Sequence, residues 1–292
     1  MRILLLIVGL VLFAGGLLAP AGSHAQHCCN PTSNTARFAA LGNQGAFCRS
    51  HHRPKQLAHY AAAGQWLELP VENSNQPARI YTVSAAQPGN RYLLVFHEWW
   101  GLNENIQREA ERLAEQHPGV TVWAVDLYDG QTAETPENAR KLMQALQDTR
   151  AEAILNTALA AADARSPAGR AQVATIGWCF GGGWALRGAL LAGKRARACV
   201  IYYGMPILDA ARLQGLECPV LGHFAEKDDW ITKEKVDGFR SAMQLANKQL
   251  TVHWYNAHHA FANPSNPHHN RQATQRARKR TEAFLQEQLG TQ

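Results

Sequence analysis

The sequence predicts a doubly wound, mostly parallel α/β sheet with helices on both faces, and three observations carry that expectation. Short, continuous apolar runs such as residues 92–96 alternate with segments whose apolar residues recur at helical spacing. From residue 92 onward the order is strand, helix, strand, helix, as right-handed crossover units require. One β-prone run, Val173, Ala174, Thr175 and Ile176, enters a helix through Gly177-Trp178-Cys179-Phe180-Gly181 with no spare residue between them.

The elements follow in order. Residues 1–25 carry Arg2, an apolar run over 3–18, and then Pro20, Gly22, Ser23 and Ala25, which is the pattern of a secretory signal cleaved after Ala25. The expected location is therefore periplasmic or secreted, with no membrane attachment once the signal is gone. Residues 26–64 are rich in Asn, Gln, His, Ala and Ser without a sustained period, and are expected to form an N-terminal extension packed on, or linking to, a single domain over 65–292. Trp66, Leu67 and Leu69, followed by Ile80, Tyr81 and Val83, alternate as an antiparallel opening pair does. After the strand at 92–96, Ile106, Ala110, Leu113 and Ala114 mark a helix and residues 120–125 a strand. A short helix near Leu142 precedes a longer one through Ile154, Leu155, Ala158, Leu159 and Ala162. Beyond the glycine-flanked cysteine come strands at 199–203 and 219–224 and a helix through Val236, Phe239 and Met243. A strand at 250–255 and a last helix from about Arg271 complete the series.

Composition narrows the function classes. The formal net charge is +6, and much of the excess lies in Arg271, Arg276, Arg278, Lys279 and Arg280. No aromatic residue interleaves with that group, so it reads as a solvated helix face and no nucleic-acid partner is expected. The six cysteines show neither paired zinc spacing nor the haem-attachment pattern. Cys199 and Cys218 fall at strands as small buried hydrophobes, whereas Cys28, Cys29 and Cys48 lie in the extension, where Cys48 is expected to form a disulfide with one of the other two. The histidine pairs His51-His52 and His268-His269 are adjacent, so their side chains diverge, and no metal is assigned. Gly181-Gly182-Gly183 follows the cysteine and does not open a first β-α unit with a ribose-binding acid, which argues against a dinucleotide.

The chemistry centres on Cys179. Glycines two before and two after are what a strained strand-to-helix elbow needs, because side chains there would meet the adjoining elements. A thiol so placed needs a base and an orienting acid. Strand 219–224 leads to Asp228-Asp229 and strand 250–255 to His258-His259, in the order nucleophile, acid, histidine that α/β-hydrolases use. Asp229 rivals Asp228, and His258 rivals His259. Cys179 is expected to attack an ester carbonyl as a thiolate, its pKa lowered by the following helix and by an imidazolium, with His259 moving the proton and Asp228 holding the ring. The oxyanion would meet the backbone N–H of Phe180 and one near Trp99, and no cofactor is required.

Three blocks, residues 97–103 (His-Glu-Trp-Trp-Gly-Leu-Asn), 177–182 (Gly-Trp-Cys-Phe-Gly-Gly) and 257–261 (Ala-His-His-Ala-Phe), make the chain resemble the dienelactone hydrolases over most of residues 65–292. The resemblance implies the α/β-hydrolase fold and a Cys179-His259-Asp228 triad. It also implies that Glu98 partners the resting thiol and that the N–H of Trp99 completes the oxyanion hole. The substrate implied is a small ester or lactone. Two arginines that hold the substrate carboxylate in that family correspond here to Gly130 and Asn263, which removes bidentate carboxylate recognition. The alternative expectation is a catalytically silent exported binding protein that holds an apolar ligand near Trp99, Trp100 and Trp230.

Overall fold

A computed structural model describes residues 34–52, 60–87 and 89–290. The expected signal and the candidate disulfide partners Cys28 and Cys29 lie outside the described residues. The described residues open with two short helices in the extension, α1 (Asn34–Leu41) and α2 (Gly45–Ser50), where no period is evident in the sequence. Strands β1 (Gln65–Leu69) and β2 (Ala78–Val83) then pair antiparallel, as their alternation predicts. The alternating part comprises β3 (Arg91–Phe96), α3 (Glu104–Gln116), β4 (Thr121–Val125), α4 (Pro136–Ala145), α5 (Asp148–Arg165), β5 (Gln172–Trp178) and α6 (Phe180–Ala192). It continues through β6 (Ala196–Tyr202), the one-turn α7 (Ala210–Leu213), β7 (Val220–Lys227), α8 (Lys233–Leu245), β8 (Leu250–His258) and α9 (Arg271–Leu289).

The eight strands form one sheet in the order β1-β2-β4-β3-β5-β6-β7-β8, antiparallel at β1, β2 and β4 and parallel from β4 through β8. In β3, β5 and β6 nearly every residue is buried. Successive strand residues point to opposite faces, so continuous burial means that both faces are covered. The chain passes from β3 to β4 on one side and returns to β5 on the other. That reversal leaves a crevice between the carboxyl ends of β3 and β5, where doubly wound sheets place their ligands.

β7 and β8 each run about three residues beyond the expected strand, and these extra residues carry Asp228 and His259 to the same rim as Cys179. α3 is capped by Asn103, whose side chain accepts from the N–H of Asn105 and Ile106, so the loop after β3 enters its helix at a fixed angle. His97 secures the same loop from below. Its Nδ1 lies 2.6 Å from the carbonyl of Glu98 and its Nε2 accepts from the N–H of Leu127 at 3.2 Å, which ties the end of β3 to the end of β4.

The extension packs on the domain. Phe38 of α1 meets Phe180 with ring centroids 6.1 Å apart, and Arg187 of α6 reaches Thr35. Cys48 is a free thiol that donates to the carbonyl of Gly42 at 3.2 Å, contrary to the expected disulfide. No helix among the described residues is long and apolar enough to cross a membrane.

Candidate active site

The elbow is built by close backbone approach. Cys179 has φ 56° and ψ −118°, a region that L-residues rarely occupy. A Cβ at residue 177 would lie 2.1 Å from the carbonyl oxygen of Gly181, and one at residue 181 only 2.3 Å from that of Phe96. Any side chain at either position would push the helix off the sheet. Cys179 therefore caps α6 from a strained turn, with its N–H donated to the carbonyl of Tyr202.

Asp228 and His259 meet as expected. Nδ1 of His259 lies 2.6 Å from Oδ2 of Asp228, while Oδ1 of Asp228 accepts from the N–H groups of Trp230 and Ile231, each at 2.9 Å. Burial opposes ionisation of Asp228, but His259 and the two backbone N–H groups outweigh it and hold the carboxyl below its ordinary range. The imidazole is thus gripped through Nδ1, and its Nε2 is buried without a hydrogen-bond partner. Sγ of Cys179 and a ring nitrogen of His259 lie within 4.8 Å of each other. Of the rival residues, Asp229 and His258 are exposed, and the ring of His258 lies 4.9 Å from that of His268.

The thiol differs from the expected thiolate. Burial, and then the nearby charge of Glu98, push the Cys179 thiol well above its ordinary pKa, although the backbone N–H groups of Phe180 and Trp99 both favour the anion. These are the two donors expected to form the oxyanion hole. A helix N-terminus lowers a thiol pKa where water still reaches the sulfur, and Cys179 is only 1% exposed.

Glu98 comes within electrostatic reach of the sulfur, but its Oε2 accepts from Asn263 Nδ2 at 2.5 Å. Burial raises its pKa to about 7, with His259 and Asn263 pulling the other way. Asn263 is in turn fixed by the N–H and hydroxyl of Ser265, at 2.8 and 2.7 Å. The residue standing where the resemblance expects an arginine is therefore committed to Glu98. At Gly130 the space a side chain would need is filled by Arg79, whose guanidinium nitrogen lies 2.1 Å from a would-be Cβ.

Three residues escaped the sequence reading. Tyr203, one residue past β6, has φ 40°, an unpartnered buried hydroxyl and a ring 5.0 Å from that of His259. The other two come from the extension. Phe47 is fully buried with its ring 5.2 Å from both Trp99 and Trp230, and His51 follows it into the site. Nε2 of His51 is 3.9 Å from Sγ of Cys179, so this imidazole is the resting sulfur's contact. His51 and His52 diverge as adjacent residues must, yet that divergence sends one of them inward. The only sequence signal was an aromatic residue four before a histidine in a segment without other periodicity. The apolar surface at Trp99 and Trp230, which the binding-protein alternative offered to a ligand, is thus covered by the chain's own residues. A cleft of about 830 Å³ opens nearby, lined by Glu98, Trp178, Tyr203, Asn263 and, at its exposed side, Arg108.

Known proteins resemble this chain in sequence and in fold. The model of the dienelactone hydrolase family matches residues 78–289. Carboxymethylenebutenolidase 1 of Cupriavidus pinatubonensis is 31% identical over 205 residues, covering 66% of this chain and 84% of its own. Protein usf of Aquifex pyrophilus is 27% identical over 210 residues, covering 68% of this chain and 87% of its own. Among solved structures, a dienelactone hydrolase-like promiscuous phosphotriesterase from metagenomic libraries superposes with a TM-score of 0.66 at 19% identity, over 77% of this chain and 99% of that one, a likeness of fold.

Proposed function

Because this chain belongs to the dienelactone hydrolase family, we propose that it hydrolyses a small carboxylic ester or lactone through Cys179, His259 and Asp228. The observation that carries the proposal is the buried imidazole of His259: one nitrogen is clamped to an ionised Asp228, the other is unpartnered, and the ring comes within 4.8 Å of the sulfur of a strained elbow.

The resting nucleophile is a neutral thiol. His259 Nε2 takes its proton as sulfur attacks the carbonyl carbon, and Asp228 stabilises the imidazolium that results. The oxyanion forms where the N–H groups of Phe180 and Trp99 already favour negative charge. Collapse expels the alkoxide, which receives the proton from His259, and leaves a thioester on Cys179. Water, deprotonated by His259, then attacks the thioester; the C–S bond breaks, the carboxylate leaves once its acid proton passes to solvent, and His259 returns its proton to the sulfur to restore the neutral thiol. In this cycle burial of the thiol protects it from oxidation between turnovers, and the catalytic base supplies the ionisation that the resting site withholds.

The departures at Gly130 and Asn263 bear on how a substrate is held. Asn263 is saturated by Glu98 and Ser265, and Arg79 by Gly130 lies near Glu68 and Asp126. Neither position offers a guanidinium for bidentate carboxylate recognition, and the cation on the cleft's exposed side is Arg108 instead.

Phe47 and His51 cover Cys179 from the side of the extension, and their displacement is expected to open the thiol to substrate. The test is a panel of small aryl esters and lactones followed by intact-protein mass spectrometry. Turnover that disappears in Cys179→Ala, with an acyl adduct on Cys179, is the expected result. An adduct on another cysteine, or turnover that survives the substitution, refutes it.

A further inference from the structure

The extension brings a second imidazole to the nucleophile, and the three side chains together have the character of a metal site. The potential ligand atoms of His51, Cys179 and His259 all lie within 4.8 Å of one another, and all three residues are buried. A tetrahedral zinc ion, with Zn–S of about 2.3 Å and Zn–N of about 2.0–2.1 Å, holds its ligands roughly 3.3–3.6 Å apart. The separation of 3.9 Å between Sγ and His51 Nε2 is within a small side-chain adjustment of that range.

The outer partners point the same way. In most protein metal sites a ligating histidine donates its other ring N–H to a carboxylate or a backbone carbonyl, which fixes the tautomer and aims the lone pair at the metal. Both arrangements occur here. His51 Nδ1 lies 2.7 Å from the carbonyl of Phe47, an atom that can only accept, so its proton is on Nδ1 and its lone pair is on Nε2. His259 presents Nδ1 to Asp228 at 2.6 Å and keeps Nε2 buried with no partner. Asp228 adds a negative charge just outside the cluster.

We propose that His51, Cys179 and His259 form a three-ligand site for zinc(II), assembled only when the N-terminal extension is docked. On binding, the S–Zn bond forms as the S–H bond breaks and the proton passes to solvent; both imidazoles bind neutral. The fourth position is left to water or another small ligand. Occupancy ties the extension to the nucleophile and withdraws both the thiol and its base from hydrolysis, so the metal acts as a lock on the site. The proposal does not depend on turnover, since the site is defined by its ligands alone.

The full chain is titrated with zinc by calorimetry, and with cobalt(II), whose bond to a thiolate gives a near-ultraviolet charge-transfer band. One zinc per chain is expected, with a cobalt-thiolate band that is lost in Cys179→Ser and kept in Cys48→Ser. His51→Ala is expected to weaken zinc binding more than the roughly 10–100-fold that loss of an outer partner costs, whereas His52→Ala leaves it unchanged. Cys179→Ala leaves the extension intact and serves if His51→Ala fails to fold. Zinc binding that is undiminished in His51→Ala or Cys179→Ala, or a cobalt complex without the thiolate band, overturns the proposal.

Discussion

Phe47→Ala tests whether the extension governs access to the nucleophile. The ring is fully buried and meets Phe38 at 5.7 Å, Trp99 and Trp230 each at 5.2 Å, and His51 at 4.0 Å between centroids. Truncating a buried phenylalanine costs about 3–5 kcal/mol, and two of these four contacts, those with Trp99 and Trp230, join the extension to the domain. If roughly 3 kcal/mol of that falls on local docking, the undocked population rises about 100-fold, because each 1.4 kcal/mol is tenfold. The assay is alkylation by iodoacetamide followed by peptide mass spectrometry, which reads each cysteine separately. Cys179 labelling is expected to accelerate about 100-fold, Cys48 to change little because it is already half-buried, and Cys199 and Cys218 to stay protected in the sheet. An unchanged Cys179 rate refutes the idea that the extension closes the site. Equal acceleration at Cys199 assigns the effect to global unfolding instead.

Asp228→Asn keeps an acceptor for the N–H groups of Trp230 and Ile231 but loses the charge that holds His259; kcat is expected to fall by about 10⁴ in steady-state assays with little change in melting temperature. Glu98 has a pKa of about 7 in the folded chain, above that of an exposed carboxyl, so its contribution to stability is full below about pH 4.5 and declines until about pH 7. Glu98→Gln therefore gains on the wild type by up to roughly 3 kcal/mol between those limits, read from melting temperatures across pH 4–8; a constant difference contradicts the burial of Glu98. Gly181→Ala places a methyl group 2.3 Å from the carbonyl of Phe96 and 2.5 Å from that of His97. A loss of about 1–3 kcal/mol, together with displacement of the oxyanion loop and a fall in kcat, is expected from denaturant melts and kinetics.

Much of this molecule was legible in its sequence. Periodicity gave the alternating strands and helices because burial on one face or two writes itself into neighbouring residues. The glycines around Cys179 identified the elbow, since close backbone approach excludes side chains at fixed offsets. The order of Cys179, Asp228 and His259 placed all three on one rim. What the sequence could not decide was which atoms meet and in what ionic state. Asp228 and His259 are buried while Asp229 and His258 are exposed, because β7 and β8 extend past their apolar runs and turn one residue of each pair inward. The thiol is neutral because burial outweighs the helix and the two N–H groups, a balance set by everything packed around it. His51 reaches a sulfur 128 residues away through the docking of two short helices that leave no long period behind them. Local pattern records how a residue sits in its own element, whereas contact and desolvation at a site depend on elements that are adjacent only after the chain has folded.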